Sequence, residues 1–132
     1  LLDRLGANPV SEIQPVMTAE QLAQCISEVR QVNFAESLCR YVAELSAATR
    51  NHGGVELGVS PRASLAIMQA SRAFAYLDGR DYVVPEDIVR LMIPVFSHRI
   101  VLRQEMKMRR MSVTTVLQDA VSAVTPPVRR GI

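Results

Sequence analysis

The sequence has 132 residues, of which 48% are hydrophobic, 21% are charged and 5% are aromatic, and this suits one globular domain with a modest aliphatic core. A formal net charge of +2, from 15 basic and 13 acidic residues, argues against a general nucleic-acid binder. No apolar run has the length of a membrane span and no signal peptide opens the chain. We therefore expect a cytoplasmic protein in which Cys25 and Cys39 are buried, reduced thiols.

The beginning of the chain reads as a connecting arm followed by a helix. Residues 1–17 lack helical periodicity, and Pro9 and Pro15 interrupt them. Thr18, followed three residues later by Gln21, fits a helix capping box. An apolar stripe at helical spacing follows, made of Leu22, Cys25, Ile26 and Val29.

A second helix is predicted with Asn33 as its N-cap and Glu36 three residues on. It runs to about Asn51, where Gly53 and Gly54 end it. Its apolar face is formed by Leu38, Val42 and Leu45.

A third helix follows a short extended stretch at residues 55–57. Ser60 is its predicted N-cap, and Pro61 takes the first helical position, where its missing N–H is harmless. The helix is apolar on most faces and ends at Asp78 and Gly79, so we expect it to lie at the centre of its domain.

A second extended stretch, residues 82–84, precedes a fourth helix that opens at Pro85 with acids in its first turn. Pro94 lies inside the apolar pattern of this helix and is predicted to kink or split it. We further expect the extended stretches 55–57 and 82–84 to pair side by side.

The last part of the domain is less regular. Residues 98–111 are mixed in character, and either helix or loop fits them. Ser112 is the predicted cap of a final helix that runs through Val124. The fold class is therefore all-α: a small bundle of four to five helices over residues 18–125, in a histone-like arrangement with two short extended segments, followed by a tail at 126–132.

Most catalytic chemistry is absent from the sequence. There is no phosphate-binding loop, no strand ending in paired acids to hold magnesium, no metal-ligand cluster of His or Cys, and no nucleophile elbow. Glu86 and Asp87 are adjacent on a helix, so they point apart and are interpreted as first-turn charges and not as an acid–base pair.

Arg62 breaks a local rule, because it places a cation at the second position of the third helix, where the dipole disfavours it. The same position attracts anions, since free backbone N–H groups and a guanidinium would converge there. Arg62 is therefore a candidate phosphate ligand, and a solvated surface arginine is the alternative.

Other basic residues invite similar readings. Arg72 lies mid-helix, where it could reach a neighbouring subunit or a phosphate, extend to solvent or pair with an acid. Arg80 is interpreted as a turn charge. A basic patch that could serve nucleic acid or an acidic partner, or be a solvated linker, comprises Arg103, Lys107, Arg109 and Arg110.

Several segments together resemble the C-terminal lid of MoxR-family AAA+ ATPases. The resemblance is carried by residues 58–66 (GVSPRASLA) and 73–88 (AFAYLDGRDYVVPEDI), with further similarity at 48–50 (ATR) and 95–100 (VFSHRI). It is specific from about residue 38 to 100. Val84 departs from the family, which tends to have Thr there, and this should weaken the helix cap by roughly 1 kcal/mol.

The resemblance implies a small helical domain packed against an ATPase core that lies upstream of Leu1. Arg62 would be the second sensor arginine, supported by Ser60 and Pro61, and would contact the terminal phosphates of ATP. The intact enzyme would use ATP and Mg²⁺, form hexameric rings of neighbouring subunits and act as a chaperone with von Willebrand A-domain partners. The chain alone would be inactive.

A different class of function is also compatible with the sequence. The chain could be a stand-alone, histone-like helical interaction module that binds DNA or an acidic protein through its basic patch. A salt-dependent interaction with duplex DNA would favour this alternative.

Overall fold

The computed structural model describes residues 13–128, and within them the chain is mostly helical. The helices are α1 (Ala19–Gln31), α2 (Glu36–Asn51), α3 (Pro61–Leu77), α4 (Pro85–Phe96), α5 (Gln104–Met108) and α6 (Val113–Ala123), with a 3-10 turn at Ser97–Arg99. Two short strands are β1 (Val55–Leu57) and β2 (Val101–Leu102). The all-α class is confirmed. The expected four to five helices are too few, because the undecided stretch 98–111 contains the five-residue α5.

Three predicted helix caps are confirmed. Thr18 forms the full capping box, accepting from the Gln21 N–H at 3.2 Å while its own N–H donates to the Gln21 side chain at 2.8 Å. The Ser60 hydroxyl accepts from the N–H of Ala63, and that of Ser112 accepts from Thr115. These caps could be predicted because cap and partner lie within one turn of chain.

The predicted cap at Asn33 is wrong. Helix α2 begins at Glu36 after Ala35, which makes no side-chain cap. Asn33 instead forms an isolated parallel bridge with Tyr82, its N–H donating to the Asp81 carbonyl at 2.8 Å. A backbone pairing with a segment almost fifty residues away therefore holds Asn33 outside the helix, three residues before its first residue.

The predicted pairing of the two extended stretches is also wrong. Strand β1 pairs antiparallel with β2, in a register that matches Val55 with Leu102 and Leu57 with Val101. The stretch around Tyr82 pairs with Asn33. Sequence patterns do not show which distant strands pair, and β2, with only two residues, is too short to show a strand pattern.

Helix α3 is the centre of the domain, as predicted, and packs against α1, α2 and α4. The core includes the fully buried side chains of Leu38, Leu45, Ile67, Ile88, Met92 and Phe96. By contrast, no residue of α1 is buried, and the apolar stripe residues Leu22 and Ile26 are about half exposed. Helix α1 is thus a surface helix laid on α3.

Pro94 does not split α4, contrary to one of the two expected effects. It lies in the last turn, and the helix continues to Phe96 before tightening into the 3-10 turn. Pro94 removes one backbone hydrogen bond, and the following turn is still closed by the Ser97 N–H, which donates to the Ile93 carbonyl.

Residues 13–17 are irregular, and the rest of the predicted arm lies outside the described residues, as do residues 129–132 of the predicted tail. Nowhere in the described chain is a helix both long and apolar enough to cross a membrane. Cys25 and Cys39 are free thiols, but they are only partly buried.

Candidate functional site

Arg62 lies at the second position of α3, directly after the cap Ser60 and the first-turn Pro61. Its side chain is exposed, and no other residue in the range 13–128 hydrogen bonds or pairs with it. A free guanidinium beside the N-terminus of a 17-residue helix is an arrangement that favours an anion, since the helix N-terminus contributes partial positive charge. The residues present therefore suit a phosphate group.

The loop before α3 is fixed to the last turn of α2 through Val59, which is completely buried. The N–H of Val59 donates to the Thr49 hydroxyl at 3.1 Å, and its carbonyl accepts from the Arg50 guanidinium at 2.7 Å. Thr49 and Arg50 thus bind the backbone N–H and the carbonyl of Val59, which lies three positions before Arg62.

Gly58 allows this close approach of loop and helix. A Cβ at this position would lie only 2.6 to 2.8 Å from the Cα, the backbone nitrogen and the Cγ of Arg50. Real Cβ atoms essentially never come this close to backbone, so any side chain at residue 58 would push the loop away from α2. The glycine is therefore needed for space.

A second contact joins the two helices one half-turn beyond Arg62. The buried Ser46 hydroxyl donates to the Val42 carbonyl at 2.8 Å. Its oxygen also lies 2.8 Å from the Ser64 hydroxyl. The Ser64 hydroxyl also lies 3.4 Å from the Ser60 carbonyl, so either hydroxyl can donate in the Ser46–Ser64 contact. The first turn of α3 is thus anchored on α2 both before and after Arg62.

Arg80 and Asp87, interpreted from sequence as separate turn and first-turn charges, in fact form a bidentate ion pair. The guanidinium donates to the two carboxylate oxygens at 2.7 and 2.9 Å, and it also reaches the Tyr82 carbonyl at 3.0 Å. The hydrogen bonds to Asp87, followed by the charges of Asp87 and Asp78, raise the pKa of Arg80 above its already high value.

Asp87 also repairs the helix cap that Val84 lacks. Its carboxylate accepts from the Val84 N–H at 2.9 Å, which is the reciprocal half of a capping box. The weak cap predicted at Val84 is therefore partly offset. The signal was present in the sequence, as an acid at the third helical position, but its burial and its ion pair could not be read from there.

Within residues 13–128, Arg72 has no acidic partner, and its side chain is partly buried. Its guanidinium lies 5.6 Å from the centre of the Phe34 ring, and its Nε is buried with no hydrogen-bond partner within the described part of the chain. This cation–π contact partly compensates for the burial of the charge.

The predicted basic patch is exposed on and around α5. Arg103 is partly engaged, because its Nε donates to the Val55 carbonyl at 3.2 Å. The two histidines have local roles: His52 lies between the Gly54 N–H and the Asp119 carboxylate, and His98 contacts Arg99. Residues 13–128 contain no group of three or more His, Cys, Asp or Glu that could hold a metal ion.

Comparison with known proteins places this arrangement in a family. Residues 47–120 match the AAA lid domain family, a range that includes Arg62 and the contacts of Thr49 and Arg50 with Val59. The Bacillus subtilis protein YeaC is 37% identical over 95% of this chain and 39% of its own length. Chaperone MoxR1 of Mycobacterium tuberculosis is 31% identical over 96% of this chain and 36% of its own, and protein MoxR of Paracoccus denitrificans is 36% identical over 68% and 30%.

A solved structure shows the same fold. It is a protein from Cytophaga hutchinsonii described as a candidate ATPase, which matches with a TM-score of 0.84 at 24% identity, over 96% of this chain and 41% of that one. The chain therefore belongs to the AAA lid domain family, as the lid of a MoxR-type AAA+ protein. It spans between 30% and 41% of the length of these relatives.

Proposed function

We propose that this chain is the lid of a longer ATP-hydrolysing enzyme, in which Arg62 binds the terminal phosphates of ATP. The support for Arg62 is its combination of exposure, freedom from partners and position at the start of α3. Two other arginines close to the ends of α3 are already engaged: Arg50 holds the Val59 carbonyl, and Arg80 holds Asp87. A guanidinium without an internal partner can bind a phosphate without first giving up a bond.

The remaining parts of a nucleotide site would lie on an ATPase core upstream of Leu1. That core would supply the phosphate-binding loop and the ligands of Mg²⁺, for which the described residues offer no cluster. Arg62 would place positive charge beside the phosphates and stabilise the negative charge that develops during their transfer. Because Arg62 belongs to α3, the central helix, its binding to phosphate would move the lid as a unit.

The assembly would be a ring, by extension from the family, with this lid between its own core and a neighbouring subunit. Hexameric form, a cytoplasmic location, a von Willebrand A-domain partner and a chaperone role in maturing client proteins are parts of the same proposal. The name of the mycobacterial relative, a chaperone, supports the last of these.

Steady-state ATP hydrolysis by the full-length enzyme tests the role of Arg62. The variant Arg62→Ala should lower kcat/KM by roughly 10- to 100-fold, as expected when a charge-assisted hydrogen bond is lost. Arg90→Ala, which removes an exposed arginine stacked on Phe74, is the matched control and should stay near wild type. Normal turnover in Arg62→Ala would exclude the phosphate role.

A further inference from the structure

We infer that Arg50 is a positioning residue for Arg62: it holds the loop that sets the start of α3 and acts on nucleotide only through that loop. The inference rests on the proposed function, since it requires Arg62 to be the group that contacts phosphate. Arg50 lies in the last turn of α2, whereas Arg62 lies in the first turn of α3.

The contact made by Arg50 is local and specific. Its guanidinium donates to the Val59 carbonyl at 2.7 Å, and that carbonyl belongs to the residue directly before the cap of α3. Ser60 and Pro61 complete the link, and proline has a fixed φ angle. Few rotatable bonds therefore separate the carbonyl that Arg50 holds from the Cα of Arg62.

Gly58, on the same loop, packs directly against Arg50. Its backbone packs so close to Arg50 that no side chain fits: an added Cβ would lie 2.8 Å from Arg50 Cγ and still closer to the Arg50 backbone. Arg50 therefore supports the loop with its stem and fixes it with its guanidinium. Catalytic groups need such support, because small errors in position lower rates strongly.

Arg50 and the neighbouring Thr49 both hold Val59, but they differ in burial, and only Arg50 can be replaced without disturbing the core. Thr49 is completely buried and bonds both Val59 and the Ser46 carbonyl, so its loss would disturb the core. Arg50 is exposed, so its substitution removes no buried side chain from the core. A change at Arg50 should therefore move the loop without unfolding the domain.

The test is a double-mutant cycle in ATP hydrolysis by the full-length enzyme. Arg50→Met keeps the aliphatic stem and removes the donor, and it should lower kcat/KM about tenfold. Arg50→Lys restores a donor and should recover most of that loss. Arg50→Met should change kcat and KM in the same proportion as Arg62→Ala. In the Arg62→Ala background it should add no further loss, because both residues act at one point.

Arg40→Met is the matched control on the same helix, since Arg40 is exposed and makes no hydrogen bond or ion pair within the described residues. It should hydrolyse ATP at the wild-type rate. Normal activity in Arg50→Met, or losses that multiply in the double variant, would overturn the inference. So would an Arg50→Met protein that fails to fold, because the residue would then serve the whole domain.

The outcomes separate the two proposals. If Arg62→Ala turns over ATP normally, the phosphate role of Arg62 fails and the positioning role fails with it. If Arg62→Ala is slow and Arg50→Met is normal, the phosphate role stands and only the inference about Arg50 is lost.

Discussion

Arg80 and Asp87 join the end of α3 to the start of α4 through two parallel hydrogen bonds of 2.7 and 2.9 Å. The side chain of Asp87 is only 5% exposed, and it also receives the Val84 N–H. One carboxylate thus closes the helix–helix turn and caps α4. Residues 81–84, between Arg80 and the start of α4, include Tyr82, which forms the bridge to Asn33. The Arg80–Asp87 pair therefore also holds the segment that binds the α1–α2 connection.

Removing this carboxylate should destabilise the domain. Asp87→Ala leaves the Arg80 guanidinium and the Val84 N–H without their main acceptor, and we expect a loss of roughly 2–4 kcal/mol in the free energy of unfolding. Urea unfolding of the chain measures it. Glu86→Ala, next to it but exposed, is the control and should lie within about 0.5 kcal/mol of wild type. Equal effects of the two substitutions would contradict the assigned role.

Gly58 should tolerate no side chain. In Gly58→Ala the new methyl group would meet the Arg50 backbone at 2.6 Å, and separating the loop from α2 should cost about 1–3 kcal/mol of stability. Gly53 offers a matched comparison, because a Cβ there meets nothing within 4 Å. Gly53→Ala should be neutral or slightly stabilising. Thermal unfolding of both variants decides the point, and a stable Gly58→Ala would show that the loop can move without penalty.

The contact between α1 and α3 should depend on pH. The Tyr76 hydroxyl donates to Glu28, and this bond, followed by one from Gln24, lowers the pKa of Glu28, while the same bond raises the pKa of Tyr76. The stabilisation from Glu28 is present above its ordinary value of 4.5 and is lost as pH falls through the lowered value. That from Tyr76 is present below 10.0 and is lost as pH rises through the raised value.

Tyr76→Phe should therefore be less stable than wild type mainly at pH values above the pKa of Glu28 and below the pKa of Tyr76. In this variant the pKa of Glu28 should rise toward its ordinary value. NMR titration of the Glu28 carboxyl measures the second effect directly. Tyr41→Phe, on α2, should leave the Glu28 titration unchanged. An unshifted Glu28 in Tyr76→Phe would mean that the hydroxyl does not determine its pKa.

Duplex DNA should not bind this chain appreciably at physiological salt. The net charge is only +2, and Arg103, one of the four residues in the basic patch, is partly engaged with the Val55 carbonyl. Fluorescence anisotropy with a labelled duplex tests this. Binding that weakens steeply as salt is raised would instead support the interaction-module alternative.

The sequence predicted those parts of the fold that depend on neighbours in the chain. The caps at Thr18, Ser60 and Ser112 and the end of α3 near Gly79 are set within one turn, and Gly79 has the positive φ of 74° that glycine accommodates. The cap predicted at Asn33 is wrong because the backbone partner of Asn33, Tyr82, lies on a distant part of the chain.

In the candidate site, too, local features could be predicted from the sequence and non-local contacts could not. Arg62 stood out from sequence because a cation at the start of a helix conflicts with the dipole, which is a local effect. The roles of Arg50 and Gly58 could not be found by such reasoning. They follow from the packing of the loop on α2, which the residue types alone do not specify.

Whether Arg62 binds nucleotide phosphate can be seen directly in a structure of the full-length enzyme with a non-hydrolysable ATP analogue and Mg²⁺. We expect an Arg62 guanidinium nitrogen within about 3 Å of a terminal phosphate oxygen, with the bond from Arg50 to the Val59 carbonyl preserved. An Arg62 side chain that lies in solvent, or is paired with a protein carboxylate while the nucleotide is bound, would contradict this expectation.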